Sequence, residues 1–191
     1  MIPVFLINLD RSSDRLATMQ LRGDAIGLAF NRIQAIDGAN VPGWLAPQFL
    51  DSPMSPGEIG CYASHLTVHQ RIVDDGLPHA LILEDDVRLE PDVLTAAAEA
   101  IAAAPADWDC IHLSARWKRP VYPIAHLPGG RRLVRFIRVP LNAGGYLISR
   151  ARSREDAGPR TAHNAERQRC SIRLPTRPRR DRRPSLSHYS Q

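Results

Sequence analysis

The sequence predicts an α/β fold, and three observations carry that expectation. Short apolar runs of strand length, 3–9 (PVFLINL) and 80–83 (ALIL), alternate with longer segments of helical periodicity. Each run gives way at its carboxyl end to acidic residues, Asp10 and Glu84-Asp85-Asp86. The body of 150 residues is also long enough to bury roughly two thirds of its extended-chain surface, so it can build a core.

Taken in order, residues 3–9 read as a strand buried on both faces. Ser12 or Ser13 caps a following helix in which Leu16, Met19 and Ile26 recur at near-helical spacing, and Gly27 ends it. Residues 30–36 alternate apolar and polar positions as a half-exposed strand does, and Asp37-Gly38 turns the chain. A loop containing Pro and Gly leads to about residue 57. Between 58 and 75, Ile59, Tyr62, Ala63, Leu66 and Val73 share a helical face, with Ser55 and Pro56 as start signals and Gly76 as the stop. The strand 80–83 follows, then an Ala-rich helix opened by Pro91 and stopped by Pro105. Residues 110–113 read as a strand and 132–139 (RLVRFIRV) as a strand with one basic face, while 143–148 (AGGYLI) begins either a strand or a helix.

Composition bounds the function. The net charge of +5 belongs to the end of the chain. Residues 151–191 hold 11 of the 25 basic and 4 of the 20 acidic residues, a net +7, which leaves the body at −2. That segment has 9 apolar residues in 41, with four prolines, and reads as a disordered Arg/Pro/Ser-rich tail because it cannot offset the entropy of ordering itself. No apolar stretch reaches membrane-span length, and residues 4–9 are too short for a signal peptide, so the expected location is cytoplasmic. Three widely spaced cysteines, Cys61, Cys110 and Cys170, offer neither a disulfide framework nor a zinc ribbon. The absence of G-x-G-x-x-G, P-loop and G-x-S-x-G patterns removes the main support for dinucleotide oxidoreductases, P-loop ATPases and α/β-hydrolases.

The strongest chemical signal is Glu84-Asp85-Asp86, because an open α/β sheet binds its ligands outside the carboxyl ends of its strands. Three adjacent carboxylates repel one another unless a cation or donors neutralise them, and hard cations prefer such oxygens. A solvated acidic turn is the other reading. A second cluster lies on the helix from residue 58, where Glu58, Cys61, His65 and His69 fall at i, i+3, i+7 and i+11 in one stripe. With Leu66 in place of the glutamate a metalloprotease helix requires, this stripe reads as a polar flank of the core and not as a zinc ligand set. Glu58 and His65 are expected to line the cleft.

Five blocks, VFLINLDRSSDRL (4–16), RIQAIDG (32–38), SPGEIGCYASH (55–65), ALILEDDV (80–87) and AGGYLISR (143–150), together resemble glycosyltransferase family 25, in family order and across the whole body. That family includes bacterial lipopolysaccharide galactosyltransferases, so the resemblance implies a GT-A-like, Rossmann-like nucleotide-sugar fold. It implies transfer of a sugar, galactose being the family-weighted choice, from a UDP-galactose-like donor to a hydroxyl of a lipopolysaccharide-type or lipid-linked glycan. It further implies donor contacts at Asn8, Asp10, Arg11 and Arg15, and a Mn²⁺ or Mg²⁺ site at Glu84, Asp85 and Asp86. Such a metal stabilises the charge that develops on the leaving phosphate. The base that takes the acceptor proton is left among Asp85, Asp86, Glu58 and His65. A lipid-linked acceptor would place the protein peripherally at the inner face of the plasma membrane.

The resemblance stops after Arg150, where an Ala- and Leu-rich helix is expected and Arg instead rises from 13 in 150 residues to 11 in 41. The expectation is a truncated or frameshifted chain with the family domain at 1–150 and the tail at 151–191. Two alternatives stay open: a non-catalytic remnant, or a binding protein whose Arg-rich tail contacts nucleic acid or anionic lipid. The tail has no aromatic interleaving beyond Tyr189 and no nucleic-acid module, so nucleic acid is the weaker partner. A phosphohydrolase lacks its D-x-D nucleophile pattern.

Overall fold

The structure, a computed structural model, describes residues 1–113, 121–136, 143–157 and the backbone of 171–173. The described chain alternates strands and helices as the sequence predicts. Strand β1 (Val4–Asn8) leads to α1 (Ser13–Asp24) and β2 (Asn31–Gln34). A single 3-10 turn at Ala46–Phe49 precedes α2 (Pro56–Asp74), which runs into β3 (His79–Glu84), α3 (Val93–Ala103) and β4 (Cys110–His112). Strands β5 (Val121–Leu127) and β6 (Arg131–Phe136) form an antiparallel pair, and β7 (Gly145–Ser149) leads into α4 (Arg150–Ala157). A last strand, β8 (Ser171–Arg173), completes the sheet.

Sheet order is β2-β1-β3-β7-β4-β8-β6-β5. The first three strands are parallel, with Ile7 beside Ile33 and Glu84, while β7 runs antiparallel to both β3 and β4. Alternation along each strand divides the apolar residues between the two faces. Val4, Leu6, Leu81, Leu83 and Leu147 pack with Met19 of α1 and the alanines of α3. Phe5, Ile7, Ile82, Tyr146 and Ile148 pack with Val68 and Ile72 of α2. A mostly apolar β1 is what two covered faces demand.

Departures from the sequence reading have local causes. Helix α3 starts at Val93, two residues beyond Pro91, with Asp92 as its N-cap. In β6, Leu133 and Val134 are both buried, so the strand does not alternate cleanly, and Arg131 on it turns inward to Asp92 and Glu99 at 2.5 and 2.8 Å. Residues 143–148 resolve to a strand. The tail expected from residue 151 is corrected at its start: α4 covers Arg150–Ala157 and lies against α2. Almost no apolar side chain recommends this helix. Polar ties hold it: Ser153 is fully buried and its hydroxyl donates to Ser149 O at 3.0 Å, and Arg150 Nη1 donates to Gly76 O at 2.7 Å. The remaining disorder expectation, apart from β8, falls on 158–170 and 174–191, outside the described residues, as does the strand expected over 137–139. Among the described residues no helix is long and apolar enough to cross a membrane.

Candidate active site

A cleft of about 440 Å³ lies at the carboxyl ends of β2, β1 and β3, the place a parallel sheet of this kind offers a ligand. Its walls come from three segments: Asn8–Arg15 after β1, Ile36–Gly38 after β2, and Glu84–Asp86 after β3. The first half of α2, Pro56 to His65, closes the fourth side. Close packing of backbone on backbone sets this wall. A Cβ on Gly60 would lie 2.6 Å from Ile36 O, and one on Gly38 would lie 1.6 Å from Pro56 O, so only glycine fits at either position. Ser64 seals the seam: its hydroxyl donates to Gly60 O at 2.6 Å and accepts from Ile36 N at 2.8 Å.

The acidic trio does not converge. The strand's pleat sends Glu84 to the α2 face, where its Oε1 meets His65 Nε2 at 3.3 Å and receives the Cys61 thiol at 3.7 Å. That contact with His65 holds the Glu84 carboxyl below its ordinary pKa, against a burial effect that works upward. Asp85 turns to the opposite face. Asn8 Nδ2 donates to it at 2.7 Å and Arg15 Nη1 at 3.0 Å, so both of its oxygens are engaged. Among the described residues only Asp86 of the three has no hydrogen-bond partner. The three carboxylates expected to hold one metal thus have different surroundings, Glu84 against His65 and Cys61 and Asp85 against Asn8 and Arg15.

The other expected site residues sort themselves in the same way. Asn8, Arg11 and Arg15 line the cleft, and Arg11 Nη1 reaches Asp37 Oδ2 at 2.5 Å. The Ala39 amide first, and Arg11 second, hold the Asp37 carboxyl below its ordinary range. Asp10 is not in the cleft wall: Arg32 Nη2 and Gln34 Nε2 on β2 donate to its carboxylate at 2.5 and 2.6 Å. Glu58 is likewise absent from the wall. Its Oε2 accepts from Ser55 N at 2.8 Å and Ser55 Oγ at 2.7 Å while the Ser55 hydroxyl faces Glu58 N, a capping box that starts α2. The Glu58, Cys61, His65 and His69 stripe thus divides. Cys61 and His65 meet Glu84 at the cleft, whereas His69 is buried against Tyr146 and Asp156.

Tyr146, Asp37 and Gly38 are site residues that sequence reasoning did not single out for function. Each lay in a block quoted for the resemblance, which was the available signal.

With this geometry in hand, the comparison with known families is decisive. The sequence model of glycosyltransferase family 25 (LPS biosynthesis protein) matches residues 1–128. The chain belongs to glycosyltransferase family 25. Among similar proteins, a glycosyltransferase 25 family member from Anopheles gambiae is 33% identical over 124 residues, covering 57% of this chain and 21% of that protein. Procollagen galactosyltransferase 1 from Danio rerio is 31% identical over 147 residues, 69% of this chain and 24% of that protein. Procollagen galactosyltransferase 2 from Homo sapiens is 29% identical over 147 residues. The family 25 chain spans about a fifth to a quarter of the length of these curated relatives. They are animal proteins, so the expected bacterial source draws no support from them, and the expected lipopolysaccharide acceptor draws support only from the family's description.

The matched span in this family 25 chain contains every strand end that builds the cleft, from Asn8 to Asp86. Tyr146 on β7 and Asp156 on α4 lie beyond it.

Proposed function

We propose that this chain carries the donor-binding part of a galactosyltransferase of GT-A-like architecture, taking a nucleotide-diphosphate sugar in the cleft at Asn8, Arg11, Arg15 and Asp86. The observation that carries the reading is the charge of the cleft wall. Two arginines, Arg11 and Arg15, stand against four carboxylates, Asp37, Glu84, Asp85 and Asp86. A wall with a formal charge of −2 repels a diphosphate unless a cation accompanies it. Mg²⁺-type ions characteristically bind one or two carboxylates, several waters and substrate phosphates. Asp86, with Asp85 beside it, supplies that donor set, so these residues fit Mn²⁺ or Mg²⁺ arriving with the donor. The cation, when bound, supplies Lewis-acid stabilisation of the departing nucleoside diphosphate.

The chain's own residues do the rest. Arg15 holds Asp85 at 3.0 Å and Asn8 fixes its other oxygen, which keeps the Asp85 carboxylate from swinging into the space of the phosphates. Arg11 sits 66% exposed at the mouth, held by Asp37 and free to exchange that partner for a phosphate oxygen. The capping box occupies Glu58 and Arg15 occupies Asp85, so neither is offered as the acceptor base.

The acceptor is a hydroxyl of a glycan or a glycosylatable protein. The family's description names lipopolysaccharide biosynthesis, and two of the relatives are called procollagen galactosyltransferases. Calorimetry with UDP-galactose tests the donor site. We expect binding that requires Mn²⁺ or Mg²⁺ and that Asp86→Asn weakens about tenfold or more, the value of one charge-assisted ligand. Binding that is independent of the cation, or unchanged in Asp86→Asn, overturns the reading.

A further inference from the structure

We propose that Cys61, His65 and Glu84 form a zinc site in the α2 wall of the cleft, separate from the carboxylates assigned to the donor. Cys61 and His65 are four residues apart on one face of α2, and Glu84 ends β3 opposite them. Their Sγ, Nε2 and Oε1 atoms all lie within 4.8 Å of one another, with His65 to Glu84 at 3.3 Å and Cys61 to Glu84 at 3.7 Å. Tetrahedral zinc with ordinary ligand lengths needs such atoms about 3.3–3.7 Å apart. Two separations already match, and rotation of the exposed Cys61 side chain closes the third. A thiolate, an imidazole and a carboxylate with one open position are a donor set that selects zinc over Mn²⁺ or Mg²⁺.

The shell behind His65 supports the assignment independently. His69 is buried, and burial lowers its pKa, so it stands neutral with one ring proton. Its Nδ1 lies 3.4 Å from the Asp156 carboxylate without closing a hydrogen bond, and its Nε2 lies 3.0 Å from the Tyr146 hydroxyl. The buried Tyr146 hydroxyl thus sits between the two histidines. Its oxygen meets His65 Nδ1 at 2.8 Å. Tyr146 thereby holds the His65 ring through Nδ1 and leaves Nε2 aimed at Glu84. Orienting a ligand imidazole through its other nitrogen is how metal sites are braced. Nε2 and Glu84 Oε1 face each other at 3.3 Å, a spacing that a shared proton or a metal bridges. In the metal case the Cys61 sulfur forms the Zn–S bond and its proton leaves to solvent.

The inference does not rest on the sugar-transfer reading, and its test reads metal binding alone. Titrate the full chain with Zn²⁺ against a chromophoric chelator, then with Co²⁺ while recording absorption. We expect one equivalent of zinc and, with cobalt, tetrahedral d–d bands with a thiolate charge-transfer band. Cys61→Ser should lose that band and the stoichiometric site. Tyr146→Phe, which keeps the ring and removes the brace, should weaken zinc by about 10–100-fold. Asp86→Asn should leave zinc affinity unchanged. No stoichiometric zinc in the wild-type chain, or a cobalt spectrum without thiolate, overturns the proposal and leaves a His65–Glu84 ion pair. Zinc retained in Cys61→Ser, or lost in Asp86→Asn, also overturns it, by moving the metal to other ligands.

Discussion

Replacing Gly38 by alanine tests whether the cleft wall is built by backbone contact. The added Cβ would sit 1.6 Å from Pro56 O, 2.6 Å from Pro56 C and 2.7 Å from Gly60 N. Carbon meets neighbouring atoms comfortably near 3.5–4.0 Å, so α2 and the Ile36–Gly38 segment must separate by about 2 Å. All three obstructing atoms are backbone, and no side chain is there to swing away. Overpacking costs about 1–3 kcal/mol, and a rigid helix start on one side places this case near 3 kcal/mol. For a chain of this size each kcal/mol lowers Tm by about 2–4 °C, so Gly38→Ala should lose about 6–12 °C in a thermal melt followed by circular dichroism. Gly57→Ala is the control. It lies in the first turn of the same helix with nothing within 4 Å of its added Cβ, and should melt at or slightly above the parent temperature. Gly38 and Gly57 both line the cleft, so the melt is what separates the two variants, and UDP-galactose binding should fall in Gly38→Ala because the wall itself is displaced. A Gly38→Ala protein that melts within about 2 °C of the parent refutes the packing argument, because that corresponds to less than 1 kcal/mol.

Two further outcomes follow from buried charge. His69 is held neutral by burial, so its folded pKa is below its unfolded one; above about pH 6.5 it contributes no slope, and below it the unfolded chain takes up a proton that the folded one refuses. Urea melts should show stability falling between pH 7 and 5 by at most about 1.4 kcal/mol per pH unit for this group, and His69→Gln should flatten the curve to the smaller slope from His79, whose pKa burial also lowers. Arg131, 12% exposed, ties Asp92 and Glu99 together beneath β6, and Arg131→Met should cost about 1–3 kcal/mol by leaving Glu99 without its partner, the half-exposed Asp92 adding little. A urea midpoint unmoved by that substitution would show the pair to be incidental.

The elements legible in the sequence are those whose signal is local. Apolar β1 and β3, and α2 with its Ser55-Pro56 start, follow from runs and periods that tertiary structure had no reason to override. The cleft's position was legible for the same reason, since parallel strands put their ligands at their carboxyl ends. Individual roles were not. Glu58 carries the same signature whether it closes a capping box or serves a reaction, because both need an acid in the first turn of a helix. Adjacent acids look like one cluster in a sequence, yet a strand alternates its faces, so Ile82 and Glu84 point toward α2 while Leu83 and Asp85 point toward α1. The pleat should have argued against convergence of Glu84, Asp85 and Asp86 from the start.

Helix α4 shows where composition fails as a guide to order. Its residues, Arg150 to Ala157, have almost nothing to place in an apolar core, and an argument from burial alone predicts a solvated coil. What seats the helix is a polar anchorage in a partly dry place. Arg152 reaches Asp156 at 2.6 Å, and Asp156 reaches His69 at 3.4 Å. Burial pushes the Asp156 carboxyl upward, but His69 and Arg152 more than offset it and hold it below its ordinary value. Ser153, fully buried, fits the helix close against its neighbours without leaving its hydroxyl unpaired. The same Asp156 lies beside His69, which meets the Tyr146 hydroxyl, and that hydroxyl in turn meets His65 at the cleft wall. The family match ends at residue 128, yet a carboxylate 28 residues later lies against the buried histidine that shares Tyr146 with the cleft wall. Helix α4 therefore packs on α2 from both sides of the boundary that charge and apolar content suggest at residue 150, because its anchorage is polar and leaves no mark on either measure.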